Sequence, residues 1–140
     1  MSISGTQKKT PCHRVLVVDD EPHATHVLGK LLRRHGYIAA EDNDPTKAVH
    51  IASRFQPDAV LLDVRMAWKD GYEVAADFAS DKFLRGVPII FITGFPAEAA
   101  ESPMTAPLLV KPFQIEDLLV CLEESIAGNP RRSPAEAAAV

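Results

Sequence analysis

Cysteine, long apolar runs and surplus positive charge are all scarce in this chain of 140 residues. The two cysteines, Cys12 near one end and Cys121 inside an apolar helical pattern, match neither a metal-binding spacing nor a disulfide framework, so both are expected as free thiols. The opening MSISGTQKKTPC contains no apolar stretch long enough for a secretory signal, and no later run approaches a membrane span. A cytoplasmic location is the expectation. The net charge is -4, and Lys8-Lys9 and Arg131-Arg132 are isolated basic pairs. That balance gives little support to binding nucleic acid or an anionic membrane. Internal repeats are missing as well.

What is present has the balance of a soluble globular protein, with 46% apolar and 24% charged residues. The length suits one domain able to bury its own core. Short β-branched runs alternate with segments of helical period, which predicts an α/β fold, a parallel sheet with helices on both faces. The expected strands are 14–18, 37–41, 59–62, 88–92 and 108–110. Between the first two, Ala24, Val27, Leu28, Leu31 and Leu32 recur at helical steps, with Pro22 at the start and Gly36 past the end. His23, His26 and His35 fall mostly off that stripe and read as solvated surface residues rather than metal ligands. A second helix opens at Asn43-Asp44-Pro45 and buries Ala48, Ile51, Ala52 and Phe55. A third starts near Gly71 and uses Val74, Ala75 and Phe78. The last runs from Ile115 to Ile126, turning Leu118, Leu119 and Leu122 inward and stopping at Gly128. Segments 1–11 and 128–140 read as flexible tails around a domain at 12–127.

In a parallel α/β sheet, ligands gather at the carboxyl ends of the strands. Asp19 and Asp20 follow the first strand, Asp63 ends the third, Thr93 the fourth and Lys111 the fifth. Turn preference explains any one of these polar residues but the whole set poorly. A buried Lys111 and a buried Asp63 would each be costly without a partner, and together they satisfy one another. The chemistry that needs this set is phosphoryl transfer to a carboxylate. A hard cation such as Mg2+ takes oxygen ligands, which Asp20 and Asp63 can supply. It also makes the crowded acids of VLVVDDEP favourable. Asp63 is then the nucleophile, with Lys111 and the Thr93 hydroxyl binding phosphoryl oxygens.

With VLVVDDEP, LLDVRM followed by Asp70-Gly71, PIIFITG, and VKPF in this order, residues 12–127 resemble the receiver domain of bacterial two-component response regulators, the CheY-like fold. The resemblance implies a doubly wound five-stranded sheet of strand order 2-1-3-4-5. It implies Mg2+ held by Asp20, Asp63 and the backbone carbonyl of Arg65, with Asp19 acting through water. It further implies that Asp63 accepts a phosphoryl group from a histidine kinase or histidine phosphotransfer protein, and that Lys111-Pro112 is a cis peptide. Glu21 reads as a solvated charge at a helix start.

The sequence departs from the family pattern at several places. Leu108 stands where an aromatic residue ordinarily couples to the threonine, three positions before the lysine. The interval from Thr93 to Lys111 is short, and Pro96, Pro103 and Pro107 confine any helix to 97–101. A short, displaced or partly disordered fourth helix is therefore expected. Ala67 replaces a usual proline, and Trp68 beside it is either a cover for the site or a contact for a partner. By analogy with the family, Arg65 and Phe95 occupy positions that influence dephosphorylation, and a bulky pair there implies a long-lived phosphoaspartate. Phe95 is also a candidate substitute for the absent switch aromatic. The leading reading is a signalling receiver without enzymatic turnover of outside substrates, which acts on a downstream protein target, with homodimerisation open. The alternative is a receiver-like interaction scaffold that works regardless of phosphate.

Overall fold

The computed structural model describes residues 12–95 and 106–129. Five strands form one parallel sheet: β1 (Arg14–Val18), β2 (Ile38–Asp42), β3 (Ala59–Asp63), β4 (Ile89–Thr93) and β5 (Leu108–Val110). Their order is β2-β1-β3-β4-β5, as the resemblance implied. The helices among the described residues are α1 (Pro22–Arg34), α2 (Ala48–Phe55, led in by a 3-10 turn at Pro45–Lys47), α3 (Gly71–Ser80) and α4 (Ile115–Ala127). The expected fourth helix at 97–101 lies outside the described residues, as do segments 1–11 and 130–140. Gly128 and Asn129 are described, and Asn129 is buried. Its N–H bonds the Ile126 carbonyl, so packing continues two residues past the end expected for the domain.

Strand side chains alternate between two cores. Leu16, Val18, Val60, Leu62 and Phe91 face α2 and α3, while Val15, Val17, Leu61, Ile90 and Ile92 face α1 and α4. Covering both faces is why these strands are uninterrupted apolar runs rather than alternating ones. The arrangement concentrates polar residues where the strands end.

Three local differences from the sequence expectations have clear causes. β2 begins at Ile38 because the Tyr37 N–H turns back to the Leu32 carbonyl, closing the end of α1, and Ile38 makes the first contact with the β1 edge. β4 begins at Ile89, since Pro88 has no N–H for the ladder and offers only its carbonyl to Val60. On α1, Val27 is 41% exposed, whereas Thr25 and Gly29 are buried beside Leu32. Thr25 is admitted because its hydroxyl donates to the Pro22 carbonyl and accepts from Asn43. Gly29 leaves room for the Glu41 side chain, whose carboxylate oxygen would lie 2.5 Å from a Cβ there.

Candidate functional site

At the carboxyl end of the sheet β3, β4 and β5 each deliver one polar group, and β1 delivers two, Asp19 and Asp20. Asp63 is the last residue of β3, register partner of Ile92, and Thr93 ends β4 opposite Val110. The Lys111 N–H donates to the Thr93 carbonyl at 2.7 Å, which fixes where the lysine stem leaves β5. Lys111-Pro112 is cis, as expected. On the far side, the Asp19 N–H bonds the Asp42 carbonyl, so the acids follow β1 without breaking away from the sheet.

The Asp70-Gly71 pair explains how α3 can start directly beneath this edge. Asp70 accepts from the Glu73 N–H, and the Glu73 side chain accepts from the Asp70 N–H, a reciprocal cap. A side chain at Gly71 would collide with the Asp63 carbonyl oxygen and come within 2.9 Å of the Val64 Cα. Only glycine lets the helix approach the end of β3 so closely.

Asp19, Asp20 and Asp63 each place a carboxylate oxygen within 4.8 Å of the others. Asp19 is buried and Asp63 is 9% exposed. Lys111 Nζ stands 3.7 Å from Asp63 Oδ1 and 3.8 Å from Asp19 Oδ2, ion-pair distances beyond direct hydrogen bonding. Burial, then the neighbouring Asp19 charge, pushes the Asp63 carboxyl up to about 7, with Lys111 pulling the other way. Burial also raises Asp19, against the lowering effect of the Glu21 N–H and Lys111. One lysine facing three carboxylates leaves an excess of negative charge. Oxygen-only donors carrying that excess suit a hard divalent cation, so the residues present fit Mg2+.

The remaining expected residues fall around this cluster. The Thr93 side chain is buried, and its hydroxyl oxygen accepts from the Phe95 N–H at 3.1 Å. The Arg65 guanidinium lies 4.0 Å from the centre of the Phe95 ring. The loops after β3 and β4 thus meet in a cation-π stack, two residues past Asp63 and two past Thr93. Leu108 is half-buried in the core on the α3 side, as the register partner of Phe91. Glu21 is exposed just ahead of α1 and uses its backbone N–H, not its side chain, to bond Asp19 Oδ1 at 3.0 Å.

Two supports were missed by sequence reasoning. Asn43 donates to the Asp19 carbonyl and to the Thr25 hydroxyl, both at 2.9 Å, and so ties the loop after β2 to the acids. The Ala67 N–H donates to Asp20 Oδ2 at 2.8 Å. The first had a faint signal in an asparagine directly after a strand end; the second is a backbone contact that no residue type announces.

Comparisons with known proteins agree with this geometry. Residues 15–123 match the response regulator receiver domain family. The transcriptional regulatory protein PdtaR of Mycobacterium tuberculosis is 35% identical over 119 residues, covering 81% of this chain and 57% of that protein. This chain therefore spans little more than half of that relative. The protein PilH of Pseudomonas aeruginosa is 27% identical over 119 residues, covering 82% of this chain and 98% of that one. Among solved structures, the receiver domain of a sensor histidine kinase from Pseudomonas aeruginosa, with a magnesium ion coordinated in its active site cleft, has a TM-score of 0.73. It is 30% identical and covers 83% of this chain and 98% of its own. The response regulator TrrA of Thermotoga maritima in complex with Mg2+ and BeF has a TM-score of 0.72, 27% identity and coverage of 80% and 97%. By its sheet order, its edge of acids and its match over most of its length, this chain belongs to the response regulator receiver domain family.

Proposed function

We propose that Asp63 is the phosphoacceptor of this receiver domain, taking its phosphoryl group from a phosphohistidine on a histidine kinase or histidine phosphotransfer protein. The observation that carries the reading is the Asp63 carboxylate at the end of β3, clustered with Asp19 and Asp20 and faced by Lys111. Mg2+ at this cluster supplies positive charge that lets a carboxylate approach phosphoryl oxygens. Asp20, Asp63 and the Arg65 carbonyl would hold it, with Asp19 acting through water.

In the transfer, an Asp63 oxygen forms a bond to phosphorus as the phosphorus-nitrogen bond to the donor imidazole breaks and its electron pair stays on the nitrogen. Lys111 balances charge on one phosphoryl oxygen, and the Thr93 hydroxyl turns from the Phe95 N–H to donate to another. The product is an acyl phosphate on Asp63, and its consequence is altered binding to a downstream protein. The chain acts on its own phosphorylation and dephosphorylation only, not as an enzyme on outside substrates. No helix among the described residues is long and apolar enough to cross a membrane, which accords with action in the cytoplasm.

A second reading, a scaffold that binds partners regardless of phosphate, is favoured by Leu108 at the place of the switch aromatic. Intact-protein mass after incubation with acetyl phosphate separates the two. One phosphoryl adduct that needs Mg2+ and is lost in Asp63→Asn supports the receiver reading; a folded protein that takes up none supports the scaffold.

A further inference from the structure

Trp68 is the chain's single tryptophan, and at 84% it is the most exposed of the large hydrophobic side chains among the described residues. Its backbone has φ 70, a left-handed conformation uncommon for a bulky residue. The loop is nevertheless pinned on both sides. The Ala67 N–H is bound by Asp20 Oδ2, the Lys69 N–H closes a tight turn onto the Ala67 carbonyl, and Lys69 pairs with Asp77 on α3. Met66, just before, packs against the core. The fold thus holds an indole out into solvent where a turn would ordinarily carry a small or polar residue.

The place of that indole decides what covers it. Through the Ala67 bond, the Trp68 Cα lies no more than about 8 Å from a site carboxylate oxygen. A specific protein interface covers roughly 800 Å² on each partner, a patch about 16 Å in radius. With the Asp20 and Asp63 oxygens within 4.8 Å of one another, a patch of that size centred on Asp63 has Trp68 within its radius. Phe83, the next most exposed ring, lines a cavity with Cys12, Arg14 and Asn129 at the opposite end of the sheet.

We propose that Trp68 is the docking anchor for the protein phosphodonor, an inference that rests on Asp63 being the acceptor. The partner it fits carries its phosphohistidine beside an apolar pocket for the indole, with an acidic group opposite the exposed Arg65. Trp68 touches neither phosphoryl group nor acceptor; it sets which donor can dock and how tightly.

The test compares a small donor with a protein donor. Wild type, Trp68→Ala and Trp68→Gly are labelled with acetyl phosphate and Mg2+, and separately by each purified histidine kinase encoded in the same genome after autophosphorylation with ATP, or by each phosphotransfer protein phosphorylated by such a kinase. The glycine variant relieves the left-handed backbone, so a docking defect shared by both variants is not a folding defect. The expected result is acetyl phosphate labelling within about two-fold of wild type, and transfer from the best protein donor slowed roughly ten-fold or more through a raised KM. Unchanged protein-donor transfer overturns the proposal. So do equal losses with both donors, which would place Trp68 in the site itself, and labelling by acetyl phosphate but by no protein donor. Failure of acetyl phosphate to label wild type at all overturns the acceptor reading instead.

Discussion

The two ends of β3 each carry a buried aspartate, and the structure treats them oppositely. Asp58, just before the strand, accepts the Arg14 N–H at 2.7 Å and returns its own N–H to the Arg14 carbonyl at 2.7 Å. Nearby, the Arg14 side chain bonds the Phe55 carbonyl and lies over the Phe55 ring. Asp63, at the other end, receives two more carboxylates and one lysine at ion-pair distance. The first acid joins strand to strand. The second is held in a place that raises its energy, and such placement marks groups kept for chemistry rather than stability.

The sharpest break in this comparison is covalent. Asp63→Asn is expected to abolish the Mg2+-dependent adduct from acetyl phosphate, read by intact mass. Asp58→Ala should keep the adduct while lowering unfolding stability by about 1–3 kcal/mol, because the Arg14 N–H loses its acceptor. Loss of labelling in the Asp58 variant with the fold intact would erase the distinction.

Next in size is Lys111. Its replacement by alanine removes the positive group facing both Asp63 and Asp19 and should slow labelling by about 100-fold in single-turnover kinetics. A change below about two-fold would show that the lysine has no part in transfer.

The strain at the acid end should also appear as a pH dependence. The native Asp63 carboxyl is raised to about 7, above its unfolded value, so its contribution to stability is full below the unfolded pKa and is lost as pH rises through 7. Asp19, raised in the same direction, adds to the effect. Metal-free protein should thus unfold more easily at about pH 8 than at about pH 5.5, with Asp63 contributing on the order of 2 kcal/mol. Mg2+ or Asp63→Asn should shrink the difference. Thermal melts with and without chelator check this, and a metal-free protein more stable at the higher pH would contradict it.

The smallest effect belongs to the Arg65 and Phe95 stack. An exposed cation-π pair is worth about 0.5–1 kcal/mol. If it keeps water from the acyl phosphate, Arg65→Ala or Phe95→Ala should shorten the lifetime of the adduct about two- to five-fold. An unchanged or longer lifetime would remove the stack from the account.

The contrast also explains what could be read from the sequence. β1 and β5 keep the expected bounds, and Asp63, Thr93 and Lys111 sit at the expected strand ends, because strands covered on both faces write themselves as apolar runs that stop at polar residues. The buried line of α1 was harder to read. It passes through Thr25 and Gly29, admitted by a hydrogen bond and by a lack of bulk, while Val27 on the apparent stripe is exposed. Hydrophobic period cannot report either reason. Asp58 gave no signal as a structural acid, since its partner is a backbone N–H 44 positions away. The Arg65-Phe95 contact joins two loops whose meeting depends on the sheet order.

The most direct test of the central claim is to find which carboxylate carries the phosphoryl group. Protein labelled by acetyl phosphate is reduced with borohydride, which converts an acyl phosphate to the alcohol, and its peptides are mapped by mass. Homoserine at position 63 and nowhere else is the predicted result. Homoserine at position 19, 20 or 58, with aspartate intact at 63, would contradict it.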